Sequence, residues 1–238
     1  MRTRLVAPLL VLMTLTALAS PTRASAQDYD DFAAYAALIL TPIGGLVPLG
    51  PAAPTRGSAF VLRYGNLDSE GSALHNFSFG GDFAAGSGRL GLTLGGTTCD
   101  GCDGSVTAGL DYTVGLTRNV VAVALRPALG FSKPLEGDGT ALSLGLSLPI
   151  GVELSGATGP IFIPYLVPGF GYGRVSGGED SESGTRTMLG GGFSVAGRQG
   201  IFAVHLGFQK VFIEDGEMTI GLGMSIGRRV SSSTPGGR

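Results

Sequence analysis

The chain has 238 residues, with 16 basic and 18 acidic side chains, two histidines and a formal charge of −2. A near-neutral, slightly acidic balance excludes a nucleic-acid partner, which calls for a basic surface. Forty-two glycines without a G-X-Y period and a 43% hydrophobic content exclude both collagen and wholesale disorder.

Arg2 and Arg4, an apolar run over 5–19 and Ala24-Ser25-Ala26 follow one another in the order of a secretory signal peptide, 1–26, cut before Gln27. Pro8 and Thr14 interrupt that run, which is shorter than the roughly 20 residues of a spanning helix. No cysteine follows the cut, so a lipid anchor is not expected there. Cleavage removes Arg2, Arg4 and Arg23, taking 16 basic residues to 13 against 18 acidic, a formal charge of −5.

Residues 27–56 are expected to hold a short helix and a linker. Asp28, Asp30 and Asp31 offer N-caps, and Ala33, Ala34, Ala36 and Ala37 continue the helix. Thr41-Pro42 ends it, and Pro48, Pro51 and Pro54 give linker composition. This piece is either a lead-in to the following domain or a plug for it.

From 57 to 228 the chain alternates a large apolar residue with Gly, Ala, Ser or Thr, as in Leu142-Ser143-Leu144-Gly145-Leu146-Ser147-Leu148 and Ile220-Gly221-Leu222-Gly223-Met224. A period of two puts the apolar set on one face of an extended strand. Ten such segments are expected, at 58–64, 73–84, 89–96, 105–116, 119–131, 140–154, 161–175, 187–196, 200–212 and 217–228. Connections at 86–88, 117–118, 155–160 and 197–199 should be tight. Those at 65–72, 97–104, 132–139 and 176–186 should be longer, polar loops. Residues 229–238 read as a flexible tail. The expected fold is all-β: a closed antiparallel up-and-down transmembrane β-barrel of about ten strands, with eight as the alternative.

With that alternation, even strand number and loop order, the chain resembles the small bacterial outer-membrane β-barrel proteins, the broad group that includes opacity-type barrels. The resemblance covers the signal peptide and 58–228. It implies a Gram-negative outer-membrane location, outer-membrane lipid as partner, and a monomer. The chain departs from the group at its end, where the last strand runs into Gly227-Arg228-Arg229-Val230 instead of stopping on an aromatic.

If the apolar parity faces outward, the charges face inward: Arg63, Asp82, Arg89, Asp111, Arg126 and Glu153, alternating in sign along successive strands. Asp82 is expected diagonally across from Arg89, and Asp111 from Arg126, within reach of long side chains. Such a ladder serves either as a network locking a filled barrel or as a charged constriction. The inward set otherwise includes Gly91, Thr93, Gly109, Ala122, Ala124, Ser143, Gly145 and Ser147, whose small size leaves room for water, small solutes, an apolar ligand or the N-terminal helix. Tyr64, Tyr112, Phe131, Tyr165, Tyr172 and Phe212 are expected in aromatic girdles at the interfaces.

Cys99 and Cys102 form a C-x-x-C outside any βαβ context and without two further metal ligands nearby, and in an exported chain they read as a local disulfide. His75 and His205 are the only histidines, and no nucleophile or carboxylate can be placed beside either. No catalytic residue, metal ligand or cofactor is therefore assigned. The expected function is a non-enzymatic outer-membrane barrel, as a narrow passive pore or a structural and surface protein. The alternatives are a secreted, soluble lipocalin-like or sandwich protein binding a small apolar ligand, and a barrel-type membrane hydrolase.

Overall fold

The structure, a computed structural model, describes residues 59–69, 72–99, 102–118, 121–135, 139–155, 159–177, 180–197, 202–212 and 218–227. The expected signal peptide, the helix and linker of 27–56, and the tail of 229–238 lie outside them. No helix among the described residues is long and apolar enough to cross a membrane, which says nothing about crossing by strands.

Alternation produces strands almost without interruption: β1 (Ala59–Ser69), β2 (Ser72–Ala85), β3 (Gly88–Cys99), β4 (Cys102–Arg118), β5 (Val121–Pro134), β6 (Thr140–Ser147), β7 (Ile150–Val152), β8 (Leu154–Ser155), β9 (Ile161–Gly177), β10 (Asp180–Ala196), β11 (Phe202–Phe212) and β12 (Met218–Gly227). They form one twelve-stranded antiparallel sheet in which, β6 to β8 apart, neighbours in sequence are neighbours in space. The last strand pairs with the first, Phe60 opposite Ile226 and Leu62 opposite Met224, while β9 pairs with β10 over their whole length. The architecture is barrel-like.

β6, β7 and β8 are one interrupted stave. Leu142 of β6 faces Arg174 of β9, Ile150 of β7 faces Leu166, and Leu154 of β8 faces Phe162, a register that advances without a slip. The interruption falls at Pro149, which has no N–H to give to the ladder. Its carbonyl still accepts from the Ala124 amide at 2.9 Å, and the Leu148 amide donates to the Pro168 carbonyl at 2.9 Å. With that stave counted once, the twelve strands occupy ten staves.

The expected short-long order of connections is not what the strands show. β1 runs to Ser69 and β2 starts at Ser72; β3 runs to Cys99 and β4 starts at Cys102; β9 runs to Gly177 and β10 starts at Asp180. Polar segments expected as loops at 65–72, 97–104 and 176–186 are therefore largely strand, because cross-strand pairing supplies their backbone hydrogen bonds whether or not their side chains are apolar. The β2–β3 turn is tight as expected, with Gly86 at φ 57°, a left-handed conformation that glycine adopts without strain.

Side-chain parity divides the sheet into two unlike faces. The exposed face carries Phe60, Leu62, Phe79, Leu92, Leu94, Leu129, Phe131, Leu144, Phe162, Leu166, Leu206 and Phe208, all at least 38% exposed. The buried face carries Asn76, Asp82, Thr93, Thr107, Asp111, Arg126, Ser143, Ser147, Ser194, His205 and Gln209. A small apolar group, Ile161, Ile163, Ala196 and Ala203, packs inside where β9 and β11 begin and β10 ends. The sheet is thus apolar outside and largely polar inside, the reverse of a water-soluble β-protein.

One aromatic is misassigned by the sequence. Tyr165 faces inward with 7% exposure, and its hydroxyl donates to the Leu206 carbonyl at 3.3 Å. Tyr165 falls on the parity of Ile161 and Ile163, which fixes its direction regardless of its chemistry. Phe131 and Tyr172 are exposed on the outer face, while the Phe212 side chain lies outside the described residues.

Candidate functional site

Among the described side chains, five inward-facing charges come from the first five strands, one from each. Arg63 lies on β1, Asp82 on β2, Arg89 on β3, Asp111 on β4 and Arg126 on β5. Each occupies the parity that the surrounding large apolar residues leave free.

Asp82 and Arg89 meet directly. Asp82 stands opposite Gly91, which puts Arg89 on the diagonal, and Arg89 Nη2 donates to Asp82 Oδ2 at 3.4 Å. Arg63 Nη1 donates to Thr93 Oγ1 at 3.1 Å. Arg126, only 1% exposed, gives its Nε–H to Ser147 Oγ at 3.2 Å, and the Ser147 hydroxyl donates to the Arg126 carbonyl at 3.4 Å. Asp111, 3% exposed, is among the charged neighbours of Arg126, together with Arg63 and Asp82. The two do not close a direct bond: Arg126 Nη1 and Asp111 Oδ2 have no hydrogen-bond partner. Glu153 stands apart, half-buried between β7 and β8.

Asp111 has its place because β3 carries a glycine opposite it. Gly91 and Asp111 are register partners, and a Cβ added at Gly91 would overlap the Asp111 carboxylate. Gly91→Ala is therefore expected to lower stability by about 1–3 kcal/mol, the usual cost of overpacking. A reduced denaturant midpoint checks this, and the loss should shrink on an Asp111→Ala background. An equal loss on both backgrounds would place the strain elsewhere.

The histidines have partners that the sequence reading did not name. His205 Nδ1 and Ser194 Oγ share a hydrogen bond of 2.7 Å, both buried, and the two residues are opposite one another in the β10–β11 register. Counting outward from a turn at 197–199 would have set Gly191 opposite His205; the observed pairing of Ala196 with Ala203 is what brings Ser194 to it. His75 Nδ1 and the Tyr64 hydroxyl share a bond of 2.8 Å with their rings stacked at 6.0 Å, on the outer face between the middle of β1 and the start of β2. The sequence reading also passed over Thr93 and Ser147 as ligands of the arginines.

Cys99 and Cys102 are opposite one another in the β3–β4 register, just past an irregularity between Thr97 and Cys99. Their side chains lie outside the described residues. No cluster of three or more His, Cys, Asp or Glu suited to a metal ion occurs among the described residues.

No family model matches the chain, and no curated protein matches it. Solved structures to which the chain is similar include three from bacteria. A bacterial polysaccharide outer membrane secretin is 11% identical, covering 73% of this chain and 66% of its own, with a TM-score of 0.44. The β-domain of the Bordetella autotransporter BrkA is 14% identical, covering 71% and 97%, with a TM-score of 0.46. The translocator domain of the autotransporter NalP from Neisseria meningitidis is 14% identical, covering 85% and 99%, with a TM-score of 0.40. The chain spans about two-thirds of the secretin's length.

Proposed function

We propose that the chain is a closed, up-and-down β-barrel of the bacterial outer membrane, with a structural and non-enzymatic role. The carrying observation is the inversion of its two faces: large apolar side chains outside, ionised and hydrogen-bonded ones inside. A barrel with one face in hydrocarbon needs this arrangement, since lipid-facing and interior residues alternate along each strand. A soluble lipocalin-like carrier would show the opposite, with an apolar interior for its ligand and a polar outer face.

Within this reading, Arg63, Asp82, Arg89, Asp111 and Arg126 form a cross-linked layer that fixes the strands of one half of the wall. The near-complete burial of Arg126 and Asp111 favours a locking layer over an open passage, as in other barrels of about this size whose interiors are filled by side chains. Cleavage after Ala26, outer-membrane lipid as partner and a Cys99–Cys102 disulfide complete the proposal.

The full chain is expected to leave cell envelopes only with detergent, and to run on an unheated denaturing gel at a mobility different from the boiled sample. In planar bilayers the wild type should be electrically silent. Recovery in the aqueous phase without detergent would overturn the membrane assignment. Discrete current steps that change with Arg126→Gln would replace the structural role with that of a pore.

A further inference from the structure

We infer that residues 148–155, the stretch that carries β7 and β8, form a flap in the wall that parts from β9 while β6 keeps its other end in place. The inference goes beyond the function proposed above. It rests on strand pairing alone, so it stands whether the outer face meets lipid or water.

Prolines are confined to one part of the wall. Between residues 57 and 228 they are Pro127, Pro134, Pro149, Pro160, Pro164 and Pro168, all in or between β5 and β9. Pro149, Pro164 and Pro168 act on the same stave. In an antiparallel ladder the two residues of a hydrogen-bonded pair exchange both N–H···O bonds, and a proline can return none. The register that joins Ser147 with Gly169 and Ile150 with Leu166 sets Leu148 opposite Pro168. The Leu148 amide donates to the Pro168 carbonyl at 2.9 Å, and Pro168 has no N–H to give back. In the same alternation Pro164 stands opposite Val152, between the pairs Gly151–Tyr165 and Leu154–Phe162. It also lacks an N–H for its partner, and β7 and β8 separate there, at Glu153. On the other edge of the stave Pro149 falls opposite Ala124. Pro149 accepts the Ala124 amide at 2.9 Å and gives nothing in return.

The stave therefore forgoes a ladder bond at 148, 149 and 152, and the first and last of these are bonds to β9. β6 is held differently. It pairs with β9 without a gap from Thr140 to Ser147, and the Thr140 and Ser176 hydroxyls share a bond of 2.9 Å at its far end. Its near end is tied to β5, where Arg126 Nε donates to Ser147 Oγ. The flap itself keeps Val121, Ala122 and Val123 of β5 as register partners. The hinge thus falls between Ser147 and Pro149, and the opening runs along the β9 edge. Behind that edge lie Ile161, Ile163 and Tyr165 of β9, none more than 7% exposed. The two isoleucines pack with Ala196 and Ala203 as an apolar group inside the wall. When the flap parts, this group is reached from the side of the barrel.

Residue-resolved hydrogen exchange of the full chain, folded in detergent micelles and corrected for intrinsic rates, reads the flap directly. Amides of 148–155 should exchange about tenfold faster, or more, than those of 142–147 on the same stave and of 203–208 on β11. The second reference shares a row with the flap through the pairs Ser155–Ile161, Ile161–Ala196 and Ala196–Ala203, and it has no proline. The edge that opens is read on β9 and β5. The Leu166 amide, in the alternation that faces the flap, should exchange faster than those of Tyr165 and Val167, which face β10, while the Ala122 amide stays slow. Pro164→Ala with Pro168→Ala supplies two N–H groups to the flap and should slow its exchange about tenfold. Pro134→Ala, whose partner is Ser105 on β4, should leave it unchanged. The unheated gel band reports the folding of each variant, and the wild-type comparison needs no variant. Flap amides as slow as both references overturn the inference, as does fast exchange that survives the double substitution or an equal slowing by Pro134→Ala. An Ala122 amide as fast as that of Leu166 would detach the stave from β5 as well and overturn the hinge.

Discussion

Leu94→Arg should destabilise the folded protein by about 2–4 kcal/mol, the range for a cation on the lipid face near the bilayer midplane. Leu94 lies near the middle of β3, 52% exposed, with Leu92 beside it on the same face and Phe79 opposite it on β2. The size of the effect discriminates between environments. On a water-facing strand an exposed leucine tolerates such a change to within about 0.5 kcal/mol. Equilibrium unfolding of the protein in lipid vesicles, compared between wild type, Leu94→Ala and Leu94→Arg, separates the two cases. An arginine variant as stable as the alanine variant would mean that the belt meets water.

Arg126→Met should cost about 3–5 kcal/mol, because it removes one of the cations neighbouring buried Asp111 while preserving most of the side-chain volume. Adding Asp111→Asn should return more than half of that loss, since the uncompensated charge is then gone. The double-mutant cycle reads the coupling directly: strictly additive losses would show that the two charges do not sense one another. The Ser147 hydroxyl loses its donor in Arg126→Met but keeps the Arg126-position carbonyl as acceptor, so its contribution to the loss is minor.

Most of the wall was legible in the sequence because a period of two carries both the existence of a strand and the direction of each side chain. That is why Asp82, Asp111 and Arg126 could be placed on the buried face, and why the diagonal from Asp82 to Arg89 could be drawn from a turn at Gly86. The same rule, applied without regard to residue chemistry, would have sent Tyr165 inward; its assignment to a girdle came from treating an aromatic near a strand end as an interface residue. Polarity misled in the other direction at 65–72, 97–104 and 176–186, where hydrophilic composition was read as loop although backbone pairing carries the strands through. Pro149 interrupts a stave that looked continuous, because alternation records side-chain direction and not the availability of an N–H.

The interior ligands were harder to read. Thr93, Ser147 and Ser194 are ordinary small polar residues among many, and they become partners of Arg63, Arg126 and His205 only once the register is fixed. Register depends on turn length to a single residue, and a slip of one exchanges the faces of a strand.

The one-per-strand placement of Arg63, Asp82, Arg89, Asp111 and Arg126 also constrains the order of events during assembly. A lone β-hairpin entering hydrocarbon would have no interior, so each ionised side chain would face lipid at roughly 2.5–3.5 kcal/mol near mid-depth. Five strands inserted one after another would accumulate that cost before anything could offset it. Association of β1 through β5 at the membrane surface, with Asp82 already on Arg89 and Arg126 already beside Asp111, removes the barrier. On the membrane reading proposed above, the same charges make pairing a precondition of insertion, and a chain that fails to pair stays outside the bilayer.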